Sequence, residues 1–76
     1  MTKKEFLEEL SNAIQLDYIL KEDQDLNKIE EYDSLALLSI SALFSEHFNL
    51  EIEGNILRSC QNVSDLIALA KDYIKG

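Results

Sequence analysis

Between Thr2 and about Gln15, Phe6, Leu7, Leu10, Ala13 and Ile14 recur at spacings of three and four, with Lys3, Lys4, Glu8, Glu9 and Asn12 between them. That period gathers the apolar set on one face of a helix. Thr2-Lys3-Lys4-Glu5 predicts its start as a capping box, the threonine hydroxyl accepting from the glutamate amide while the glutamate reaches back. A second helix is predicted from Asp33 or Ser34 to about Phe48, with Asp33 as N-cap and Ile40, Phe44 and Phe48 four apart beside Leu37. Leu35, Leu38, Ala42 and Leu43 widen its apolar arc, so the helix is either wrapped on several sides or carries a docking surface. The last helix follows Asn62 as cap and Asp65 in the first turn, with Val63, Leu66, Ile67, Ala70, Tyr73 and Ile74 as its buried stripe. Lys71 and Lys75 suit its C-terminal end.

The intervening segments lack such a period. Leu16 to Tyr32 reads as a long, partly anchored loop, with Leu26 and Ile29 as the pegs that hold it on the core. Asn49 to Gly54 reads as a connector with Leu50 and Ile52 turned inward, and Asn55 to Ser59 as one short helical turn through Ile56 and Leu57. The expected architecture is all-α: a small four-helix bundle of three main helices plus one short helix, with a long first loop, as a single domain over residues 1–76.

Composition narrows the function. The chain is 46% hydrophobic yet has no proline or tryptophan and only two glycines, which favours helices over turn-rich β folds. A formal net charge of −8 argues against gripping nucleic acid or anionic membranes and points to basic protein surfaces. No stretch reaches the ~20 apolar residues of a membrane span, and the first residues lead into an acid-bearing segment rather than a signal-peptide core. The expectation is a cytoplasmic monomer without stable membrane insertion. The single cysteine, Cys60, has no intramolecular disulfide partner, and with the single histidine, His47, it makes no recognisable zinc site. Asp23-Gln24-Asp25-Leu26-Asn27 spaces its oxygens like an EF-hand loop, but Lys28 stands where glycine is needed and Ser34 where the bidentate glutamate belongs. No metal site is expected.

Ser34 is the residue with chemistry to offer. It opens the second helix directly after the acids Glu22, Asp23, Asp25, Glu30, Glu31 and Asp33, which only Lys28 opposes. A catalytic triad is excluded because His47 lies more than three turns along the same helix and no glycine-rich elbow surrounds the serine. Asp33-Ser34-Leu35 at the start of helix two resembles the attachment motif of the acyl carrier protein family. The likeness extends from about Glu5 to Ile74, through Leu43-Phe44-Ser45-Glu46-His47-Phe48-Asn49-Leu50-Glu51-Ile52 and the helix entry Asn62-Val63-Ser64-Asp65-Leu66.

The resemblance implies an acyl-carrier-like bundle that is no enzyme itself. It implies a covalent 4'-phosphopantetheine, taken from coenzyme A, on Ser34, with Asp33 and Leu35 flanking the attachment. The partners it implies are a phosphopantetheinyl transferase and acyl-loading and acyl-transferring enzymes with basic docking surfaces. Glu30, Glu31, Tyr32, Leu37 and Glu46 are the candidate docking residues, Leu37 belonging either to that set or to the core. Leu38, Ala42, Ile56 and Ile67 are candidates to line a shelter for the acyl chain. Two departures bear on the pathway: Glu30-Glu31-Tyr32 precedes the motif where fatty acid carriers have Leu-Gly-Ala or similar, and Ala36, Ser39 and Ser45 stand where acids are common. Service in fatty acid synthesis and in a specialised acyl-transfer pathway therefore both stay open. So do an aminoacyl or peptidyl carrier of a dedicated pathway, and an unmodified helical protein-interaction module.

Overall fold

The computed structural model describes residues 1–75. Helix α1 spans Lys3–Ala13, α2 Ser34–Phe48, α3 Gly54–Ser59 and α4 Val63–Leu69, and a single 3-10 turn, Leu26–Lys28, lies in the long first loop. The described residues contain no strand, only two isolated bridges, Thr2 with Lys75 and Asp25 with Asn62. None of the described helices is long and apolar enough to cross a membrane.

Each main helix starts where its capping chemistry dictates. Thr2 Oγ1 accepts from the Glu5 amide while Glu5 Oε1 accepts from the Thr2 amide, so α1 opens with the expected capping box. These bonds to Thr2, the backbone one foremost, hold the Glu5 carboxyl below its ordinary pKa. Asn62 and Asp65 make the same reciprocal pair at α4, and Asp33 caps α2 by accepting from the Ala36 amide at 3.0 Å.

The core follows the predicted stripes. Phe6, Phe44 and Phe48 meet edge-on or tilted with ring centroids 5.8 to 6.1 Å apart, in one core cluster with Leu10, Ile40, Leu57, Val63 and Leu66. Phe6 meets Phe48 near the end of α2, whereas Ala13 and Ile14 share a groove with Leu35 and Ala36 at its start, so α1 and α2 run antiparallel. The long loop is pegged by Leu26 and Ile29 as expected, and also by Leu16 and Leu20.

Two features depart from the sequence expectation, and a third lay outside it. First, α1 stops at Ala13 rather than Gln15. Gln15 adopts a left-handed φ of 60°, its amide donates to Asn12 and that of Leu16 to Ser11, a Schellman closure that drives Leu16 into the core. Second, α4 ends at Leu69, so Lys71 and Lys75 lie beyond it. The tail turns on Ala70, buries Ile74 and pairs with the N-terminus, Lys75 N donating to Met1 O and Lys3 N to Lys75 O, both at 2.8 Å. Tyr73, expected in the buried stripe, is instead exposed on one side with its ring against Phe48. Third, Ser11 is fully buried: its hydroxyl donates to Leu7 O and accepts from the Leu20 amide, fastening the long loop to α1.

Candidate functional site

The end of the long loop and the first turns of α2 form the candidate site. Ser34 is the first residue of α2 and is exposed, and among the described residues no side-chain hydrogen bond engages its hydroxyl. The first amides of a helix have no intrahelical acceptor. The Asp33 carboxylate takes one of them by accepting from Ala36 N, its carbonyl opens the intrahelical ladder by accepting from Leu37 N, and among the described residues the Ser34 and Leu35 amides have no acceptor. A hydroxyl beside free amides at the positive end of a 15-residue helix is a place where added negative charge is stabilised. Beside it an open groove of about 220 Å³ separates α1 from α2, with Gln15, Glu31, Asp33 and Ser39 on its walls.

Chain continuity brings Glu30, Glu31, Tyr32, Asp33, Ser34 and Leu35 together, and Glu30, Glu31 and Asp33 are all exposed. Among the described residues the ion pair of Lys3 with Glu22 and the contact of Glu9 with His47 neutralise none of the three. Lys28 is exposed and joins neither pair. Asp25, from the EF-hand-like run, caps the 3-10 turn by accepting from the Asn27 amide.

Tyr32 is half-buried, and its hydroxyl donates to Leu57 O of α3 at 2.8 Å. Burial, and secondarily the neighbouring Cys60, pushes its pKa up to about 12. Cys60 is itself buried, which raises its thiol pKa, with Asp65 adding a smaller push. No family model, curated protein or solved structure matches the chain. The geometry of its own residues therefore carries the functional reading.

The structure resolves one open expectation and corrects another. Leu37 is only 7% exposed and belongs to the core, because it lies on the stripe that continues through Ile40 and Phe44. It leaves the docking set. Leu35 and Leu38 are the exposed apolar side chains nearest the serine on α2, at 73% and 69% exposed. Leu38 was expected to line a shelter with Ala42, Ile56 and Ile67, but Leu38, Ala42 and Ile56 are exposed and Ile67 is half-buried, so the four do not enclose a cavity. Glu46 is exposed and sits twelve residues after Ser34, about 18 Å along the helix axis and apart from the acids that precede the serine. The Tyr32 bond to Leu57 escaped sequence reading, since its partner lies 25 residues away.

Proposed function

We propose that this chain is an acyl carrier, bearing acyl groups as thioesters on a 4'-phosphopantetheine attached to Ser34 and delivering them to enzymes with basic surfaces. The observation that carries the reading is Ser34 itself: an exposed, unengaged hydroxyl on the first turn of a capped helix, flanked by Asp33 and Leu35 as in the family the sequence resembles. In the attachment step, Ser34 Oγ forms a bond to the phosphorus of coenzyme A that bears the pantetheine. Adenosine 3',5'-bisphosphate leaves, and the serine proton passes to a base of the transferase. When bound, the arm supplies a thiol that holds an acyl group as a thioester.

The chain's own residues bind and orient. The start of α2, with its Ser34 and Leu35 amides, would favour the charge of the phosphodiester, Asp33 fixes the turn that presents the serine, and Glu30 and Glu31 draw basic partners to it. No residue acts as an acid, base or nucleophile towards the cargo. Fatty acid synthesis and a dedicated acyl-transfer pathway are equally served by this arrangement, in the cytoplasm where coenzyme A is available.

Exposed Leu35 and Leu38 favour one rival, an unmodified module that binds a protein through α2. Intact mass spectrometry after incubation with coenzyme A and a broad-specificity phosphopantetheinyl transferase separates the two. The carrier reading expects one phosphopantetheine per chain and none on Ser34→Ala. An unchanged wild-type mass, or modification that persists in Ser34→Ala, overturns it.

A further inference from the structure

Helix α3 is the least self-sufficient element of the bundle. It has six residues, and its N-cap Glu53 makes no side-chain capping bond. Within it only Leu57 is buried, while Ile56 is exposed. A helix this short does not persist on backbone propensity alone. Its C-terminal carbonyls need donors from elsewhere. The Cys60 amide supplies one to Leu57 O at 3.2 Å, and the Tyr32 hydroxyl reaches the same oxygen at 2.8 Å.

Tyr32 thus closes the end of α3 from a segment distant in sequence, and it stands two residues before Ser34. Among the described residues its own backbone makes one hydrogen bond, from its amide to Ile29 O. The Asp33 cap fixes everything that follows. Besides the packing of the Tyr32 ring, this hydrogen bond joins α3 directly to the segment leading into Ser34.

We propose that Tyr32 is a positioning residue whose hydroxyl latches α3 to the segment that presents Ser34, so that the closure of α3 and the state of Ser34 are coupled. The coupling to modification rests on the carrier reading; the latching of α3 does not. A phosphodiester on Ser34 is stabilised by the start of α2 but repels the carboxylates of Glu30, Glu31 and Asp33, and that repulsion acts on the segment before the helix, which carries Tyr32. By reciprocity, a partner that displaces α3 changes how Ser34 is presented.

Amide hydrogen exchange on the whole chain tests this, comparing wild type with Tyr32→Phe, which keeps the ring and removes the hydroxyl. Loss of one such bond should speed exchange at the Leu57 to Cys60 amides by about two- to tenfold. Exchange at Leu10 and Ser11 in α1 should stay unchanged. No change in α3, or an equal acceleration in α1 and α3, overturns the latch.

In the second arm, both proteins are converted to the Ser34-modified form with coenzyme A and transferase. Modification should speed α3 exchange in wild type and leave it unaltered in Tyr32→Phe, a difference that a merely structural tyrosine would not produce. An equal response in both proteins overturns the coupling. Failure of wild type to take the arm also overturns the coupling, along with the carrier reading, while the first arm still decides the latch.

Discussion

Replacing Asp33 by alanine would remove the one side chain that caps α2, leaving the Ala36 amide without its acceptor. The expected loss is about 0.5–2 kcal/mol, read as a lower urea midpoint with an unchanged slope. Asp33→Asn should recover most of it, because asparagine caps comparably. Tyr32 acts at the other end of the pH scale. Its folded pKa of about 12 exceeds the ordinary value of 10.0, so the unfolded chain gives up the phenolic proton first. The stability it contributes is complete below pH 10 and is lost as the pH climbs towards 12. Tyr32→Phe should flatten that alkaline loss in urea midpoints measured across this range. Cys60, whose thiol pKa burial raises from 9.0, adds a loss of the same sign at somewhat lower pH, and that part should survive in the variant.

Among the helices, α2 separates core from contact surface within four residues. Leu37→Ala should cost about 2–5 kcal/mol, since it empties a packed site. Leu35→Ala and Leu38→Ala should stay within about 0.5 kcal/mol of wild type, because their side chains already meet solvent. Equal losses at all three would place Leu35 and Leu38 in the core and end their candidacy as a contact surface. The same helix was largely legible in the sequence, as Ile40, Phe44 and Phe48 repeat at four and Asp33 is a local cap. The end of α4 was not. Ala70 and Ile74 keep a spacing of four whether the chain stays helical or turns, and the stop comes with pairing to Met1, at the far end of the sequence. For the same reason Asp33 and Ser34 could be read from local signals, whereas the Tyr32 latch, set by packing against α3, could not.

Over the whole molecule, an excess of fifteen acids over seven basic residues makes the field at Ser34 a matter of distance as well as sign. Glu30, Glu31 and Asp33 adjoin the serine, while Glu46 lies about 18 Å along α2. The screening length is about 30 Å at 0.01 M salt and about 8 Å at 0.15 M. If the field steers a basic transferase, kcat/KM for Ser34 modification should fall as salt rises between these limits. At 0.01 M, both the Glu30→Gln, Glu31→Gln pair and Glu46→Gln should lower kcat/KM, because all three charges lie within the screening length. At 0.15 M only the pair should still do so, since Glu46 is then screened from the serine. A Glu46→Gln effect at 0.15 M as large as that of the pair would instead mean direct contact at the far end of α2, and a salt-independent kcat/KM would remove steering from the mechanism.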